Sequence, residues 1–320
     1  MTKKRNNASS PNAEPGFDLL AQIRPELRDL QPYTSARSTW AGGGVLLDAN
    51  ENPYGTLNRY PSPDQKQVRE RLARLKGLSP ENIFIGNGSD EIIDLAFRLF
   101  CRPGIDSALN FSPTYGMYRV SAAINAVTLR ELPLTADFDL PEDAPEQISA
   151  LPNLKLIFIC SPNNPTGNLL SSDIILRILQ NTSALVIVDE AYIDFASAPS
   201  FSRLIDLFPN LIVLQTMSKA WGLASARVGM AFAQKQVLDW FRKIKPPYNV
   251  SGLNQAAALK ALSDLKAFER RKKMILEERD RLEKYLLELP QILRVYPSDA
   301  NFLLTQTVDS NRSYQSLAQQ

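Results

Sequence analysis

The chain has 320 residues, 44% of them hydrophobic, with 36 basic and 34 acidic side chains and a net charge of +2. That length suffices for a large buried core, and a charge so near balance gives no electrostatic basis for binding nucleic acid or an acidic membrane surface. Histidine is absent, which excludes a Ser-His-Asp or Cys-His nucleophile, a His-ligated zinc and an imidazole base, so proton transfer falls to Lys, Tyr, Asp, Glu or Cys.

In chain order, residues 1–16 lack an apolar signal core and read as a disordered leader. No apolar run reaches the length of a membrane span. Cys101 and Cys160 each end an apolar run without metal-ligand spacing; they read as buried reduced thiols, as suits a cytoplasmic protein. From about residue 80, short apolar runs alternate with helical patterns. Strands are predicted at 83–86, 107–111, 154–159, 184–190, 211–216 and 228–233, and helices near 89–101, 115–126, 171–181 and 235–244. These runs do not alternate polar with apolar, so the strands are covered on both faces. The fold class is therefore α/β, a mostly parallel central sheet with helices on both sides. In such sheets functional residues gather past the C-terminal strand ends. Composition changes at Lys245-Pro246-Pro247-Tyr248. Helices at 252–265 and 267–289 come next, then strand-like segments at 293–297 and 300–304. The reading is a large domain over 50–249 and a smaller α+β domain formed by 17–49 and 250–320.

Five motifs sit after successive predicted strands. GNGSDEIIDL (86–95) joins a strand to a helix start whose free N–H groups suit an anion. SPTYGMY (112–118) puts Tyr115 just past a strand, where packing is its ordinary use. CSPNNPTGN (160–168) carries turn signals around Asn164. VIVDEAYIDF (186–195) ends an apolar strand on Asp189, a carboxylate that needs a partner unless it caps a helix. TMSKAWGLASARVG (216–229) places Lys219 in a loop between two strands. A lysine there is ordinarily just solvated, but Thr216, Ser218 and Arg227 bring two hydroxyls and a guanidinium suited to phosphate.

The set, in this order, resembles the fold-type I, class I/II aminotransferases that use pyridoxal 5′-phosphate, over roughly residues 45–305. Three flanking stretches, LQPYTSAR (30–37), DANENPYG (48–55) and PPYNVSGLNQ (246–255), resemble the histidinol-phosphate branch of that family. The resemblance implies that Lys219 forms a Schiff base with the cofactor and moves the proton in the reaction. It implies that Asp189 pairs with the ring nitrogen, making the ring an electron sink. Tyr192 and Asn164 bond the ring's 3-hydroxyl oxygen, and Tyr115 stacks on the ring. The phosphate is held by the helix start at Ser89 and Asp90, by Thr216 and Ser218, and by Arg227, with Asp90 acting through its N–H. Tyr54 reaches the phosphate of the neighbouring subunit, which implies a homodimer. Tyr33, Asn50 and Tyr248 are substrate-side contacts. The implied substrates are histidinol phosphate and 2-oxoglutarate, giving imidazole acetol phosphate and glutamate. Aromatic amino-acid transamination, phosphothreonine decarboxylation and a weakly active cofactor-binding protein are the alternatives.

The family continues past ANFLL with a further strand and helix, and with a Leu-Arg-Ile-like motif whose arginine grips the substrate's anion. Here the sequence ends at Gln320 with no such arginine. Either the sequence is a fragment of a longer chain or its substrate binding is impaired; losing a charge-assisted contact of that kind is expected to cost about 1.5–3 kcal/mol of substrate binding.

Overall fold

The computed structural model describes residues 17–33 and 45–319. The leader over 1–16 and the part of the 30–37 stretch beyond residue 33 lie outside the described residues. Two short helices come first, α1 (Leu19–Gln22) and α2 (Pro25–Arg28), and then α3 (Lys66–Lys76). The alternating region comprises β1 (Ile83–Asn87), α4 (Ser89–Phe100), β2 (Ser107–Ser112), α5 (Met117–Ile124), β3 (Thr128–Pro133), α6 (Ala144–Ser149), β4 (Leu154–Cys160), α7 (Ser172–Asn181), β5 (Leu185–Asp189), β6 (Leu211–Thr216), β7 (Val228–Phe232) and α8 (Lys235–Ile244). Beyond it come α9 (Gly252–Leu262), α10 (Leu265–Leu287), β8 (Ile292–Val295), β9 (Thr305–Thr307) and α11 (Ser310–Ala318).

β1 to β7 form one sheet in the order β1-β7-β6-β5-β4-β2-β3, in which β7 alone runs against its neighbours. A separate antiparallel pair joins β8 to β9. Successive strand side chains point to opposite faces, and both faces are apolar. Leu185 and Ile187 of β5 enter one core with Ile93, Phe97 and Phe241, while Val186 and Val188 enter the other with Ile174, Ile178 and Ala258. Helices α4, α5 and α8 contribute to the first core and α3, α7 and α9 to the second. Unbroken apolar strands therefore mark a covered sheet, as the sequence pattern predicts.

Three features depart from that reading. β3 is a strand the sequence does not announce: Thr-Leu-Arg-Glu-Leu-Pro lies at the sheet edge and is nowhere fully buried, so it carries no apolar run. Residues 300–304 are not a strand; β9 begins only at Thr305. At the end of that segment the Leu304 carbonyl still accepts from the Tyr296 N–H at 2.9 Å, while just before it the Asp299 N–H donates to the Gly167 carbonyl in the turn after β4 at 2.7 Å. Finally, α1 and α2 pack on the large sheet unit. Ile23 is buried among Phe84, Phe97 and Phe100, and the Arg24 N–H donates to the Leu99 carbonyl. Residues 17–28 thus lie against α4 rather than with the C-terminal elements.

Candidate active site

The parallel strands β4, β5 and β6 end in one row, because Cys160 is in register with Asp189 and Asp189 with Leu214. The loops leaving those strand ends converge on a cleft, the usual place for a small-molecule site in such a sheet. Ser89, Asp90, Tyr115, Asn164, Asp189, Tyr192, Thr216, Ser218, Lys219 and Arg227 all line it, joined by Cys160 and Ala191.

One side of the cleft suits an anion. Helix α4 starts after Gly88 with no side-chain cap, leaving its first N–H groups for a ligand. Gly88 has φ of 81°, and a Cβ there would strike the Arg227 guanidinium. A Cβ on Gly229 would fall on the Gly88–Ser89 peptide. Helix start, guanidinium and β7 therefore approach one another only because both positions are glycine. The Thr216 hydroxyl donates to Ser218 Oγ at 3.0 Å and accepts from the Ser218 N–H at 3.1 Å, which fixes two hydroxyls beside the cradle. Arg227 Nη2 donates to Asp90 Oδ2 at 3.0 Å, and the Tyr115 hydroxyl donates to Asp90 Oδ1 at 3.1 Å. The Asp90 carboxylate thus orients the guanidinium, in addition to whatever its N–H does.

The other side holds a buried acid. Asp189 is 2% exposed and shares the sheet face of Leu185 and Ile187, the side on which α5 lies. Its Oδ2 accepts from the Tyr118 hydroxyl at 2.8 Å and its Oδ1 from the Ala191 N–H at 3.2 Å. Burial pushes its carboxyl up to about 6, against the pull of these two donors. A buried, perturbed carboxylate at a cleft wall marks a candidate functional site.

Lys219 sits after β6 in a tight turn. The Gly222 N–H donates to the Lys219 carbonyl at 3.0 Å, and the Leu223 N–H to the Met217 carbonyl at 3.0 Å. Trp221 anchors the turn by donating from its ring N–H to Asp194 at 3.1 Å and stacking on Phe268 of α10 at 4.0 Å. Lys219 Nζ lies 5.3 Å from the centre of the Tyr192 ring. Asn164 is held by its neighbour Asn163, whose side chain donates to the Pro113 carbonyl and Thr166 Oγ1 and accepts from the Thr114 hydroxyl. The Tyr192 ring meets Phe302 edge-on at 5.2 Å, so residues 300–304 pack against a wall of the cleft.

Four residues named from sequence do not reach the cleft. Asn50 and Tyr248 line a separate cavity, where Tyr60 stacks on Tyr248 at 4.4 Å. Tyr33 and Tyr54 point to solvent, 76% and 83% exposed. Conversely, sequence reasoning does not single out Tyr118, Cys160 or Asn163. The only trace of Tyr118 is a second tyrosine three residues after Tyr115, at helical spacing.

Residues 45–320 match the family model for aminotransferase class I and II. A histidinol-phosphate aminotransferase of Cytophaga hutchinsonii is 50% identical over 309 residues, covering 95% of this chain and 88% of that one. Among solved structures, the histidinol-phosphate aminotransferase from Clostridium acetobutylicum superposes with a TM-score of 0.74 at 25% identity, over 82% of this chain and 79% of that one. The enzyme of that name from Sinorhizobium meliloti, in complex with pyridoxal-5′-phosphate, gives 0.73 at 25% identity, over 82% and 71%. With the motifs in one cleft and the match running from residue 45 to the last residue, the chain belongs to the class I and II aminotransferases.

Proposed function

We propose that this enzyme transfers the amino group of L-histidinol phosphate to 2-oxoglutarate, using pyridoxal phosphate bound in the cleft, and that it works in the cytoplasm as a homodimer. One observation carries the cofactor assignment: a single amine, Lys219, shares a cleft with a buried acid and an anion cradle. The substrate assignment rests on the 50% identity to the Cytophaga enzyme.

The residues present fit the cofactor. The N–H groups of Ser89 and Asp90 at the start of α4, the Arg227 guanidinium and the hydroxyls of Thr216 and Ser218 would hold its phosphate. Asp189 would face its ring nitrogen, Asn164 and Tyr192 its 3-hydroxyl, and Tyr115 its ring. When bound, the cofactor supplies an aldehyde that takes the amino group and a ring that spreads negative charge from the substrate's Cα. Asp189, ionised, keeps a proton on the ring nitrogen and so maintains that electron demand. Lys219 Nζ would take the proton from the substrate's Cα and return it at the far end of the transfer; the chain has no histidine, and among the described residues Lys219 is the one amine lining the cleft. Burial of Asp189 limits water around its carboxylate and strengthens that pairing.

The dimer is supported by what a single chain leaves open. Tyr54 is exposed, as are Val45, Leu47 and Leu57, near it in sequence, apolar side chains available to a second copy. In this reading Tyr54 reaches the partner subunit's phosphate cradle.

The substrate is tested by glutamate formation from 2-oxoglutarate with L-histidinol phosphate as donor, beside an aromatic amino acid and phosphothreonine. Turnover with histidinol phosphate in clear preference is the expected result. Preference for the aromatic donor, or release of CO₂ from phosphothreonine, would replace this substrate.

A further inference from the structure

Asp189 is gripped by a residue that takes no part in moving the proton or holding the phosphate. Tyr118, on α5, is fully buried, its ring stacked 4.7 Å from Phe158 and edge-on to Tyr115 at 5.7 Å. Its hydroxyl donates to Asp189 Oδ2 at 2.8 Å, while the Ala191 N–H occupies Oδ1. One fixed donor on each oxygen stops the carboxylate from rotating and leaves its remaining accepting capacity to the cleft it lines. The charged and titratable groups facing Asp189 are Tyr118 from α5, Cys160 from the end of β4, Asp90 from α4 and Lys219 from the turn after β6. Tyr115 and Tyr192 complete the cleft wall. Among these side chains, Tyr118 is the one that donates a hydrogen bond to the carboxylate.

We infer that Tyr118 is a positioning residue for the transamination: its hydroxyl holds Asp189 in one orientation and in its ionised form, ready to pair with the protonated ring nitrogen of the cofactor. The inference rests on the assignment of Asp189 to that nitrogen. A hydrogen bond given to the charged form of an acid favours that form, and here it opposes burial, which favours the neutral one. Burial and the Asp189 charge push the Tyr118 hydroxyl well above its ordinary range, so it stays protonated and remains a donor throughout the working pH range. In a chain without histidine, a phenol does what an imidazole N–H would otherwise do.

The test is the affinity of apoprotein for pyridoxamine phosphate, which forms no bond to Lys219, measured from about pH 5 to about pH 9. In the wild type, affinity falls on the acid side as Asp189 takes up its proton. Tyr118→Phe keeps the ring and removes the hydroxyl. It is expected to move that acid-side midpoint upward by about one pH unit or more, a loss of about 10-fold or more in affinity below it. Phe158→Leu disturbs the same ring stack without touching the hydroxyl; it is expected to lower the melting temperature and leave the midpoint in place. A Tyr118→Phe midpoint equal to or below the wild type's, or a Phe158→Leu midpoint that rises equally, would overturn the role of Tyr118 while leaving Asp189 its own. A wild type with no acid-side loss of affinity would overturn the Asp189 assignment and this inference with it.

Discussion

Arg227 occupies the least forgiving position in the cleft. It adopts left-handed backbone, with φ of 48°, at some conformational cost for a side chain with a Cβ. Its guanidinium crosses a glycine that no other residue could replace without a clash. Arg227→Ala is expected to weaken pyridoxal phosphate binding about 10- to 100-fold, the worth of one charge-assisted contact. Cofactor titration of the apoprotein measures this; an unchanged dissociation constant would place the phosphate elsewhere. At this scale the sequence is most informative where chemistry contradicts surroundings. Asp189 at the end of an apolar strand and Lys219 among hydroxyls and arginine are both legible for that reason. Tyr118 is not, because an aromatic on an amphipathic helix reads as core, and only the packing of α5 on β5 shows what its hydroxyl meets. The four tyrosine and asparagine positions named for substrate and partner contact are known by motif alone, and within one chain the fold does not bring them to the cleft.

At the scale of elements, the end of β5 and the residue after it send two adjacent carboxylates in opposite directions. Asp189 faces the cleft, while Glu190 enters the other core and accepts from the Ser200 hydroxyl, the Phe201 N–H and the Gln215 amide. These bonds tie β5 to β6 and to the segment after Tyr192. Burial pushes the Glu190 carboxyl up to about 7 despite its donors. The folded chain therefore binds a proton here that the unfolded chain releases at lower pH. The contribution of Glu190 to stability declines as pH rises from about 4.5 to about 7 and is level above. Glu190→Gln removes that slope. Relative to wild type, the variant is expected to gain as much as about 3 kcal/mol between the acid and alkaline ends of that window, read by urea unfolding of apoprotein. A stability difference independent of pH would contradict it. The six covered strands are legible because both of their faces are apolar. β3 escapes notice because edge strands need no such run, and 300–304 misleads because its apolar residues serve the turn at Gly167 and the ring of Tyr192.

For the whole molecule, the residues proposed to hold the cofactor line one cleft of a single chain, while Tyr54 is exposed. If Tyr54 serves the partner subunit's site, subunits carrying Lys219→Ala and subunits carrying Tyr54→Phe complement each other. Each mixed dimer then has one site with both lesions and one with neither, and random mixing of the two inactive proteins is expected to restore roughly a quarter of wild-type activity. No recovery after verified subunit exchange would confine Tyr54 to its own chain. The proposed mechanism depends on one covalent attachment, that of the cofactor to the lysine in the turn after β6. Borohydride reduction of the loaded enzyme and peptide mass mapping of the product read it directly. The mechanism requires a pyridoxyl adduct on the peptide containing Lys219; an adduct on another lysine, with Lys219 unmodified, would contradict it.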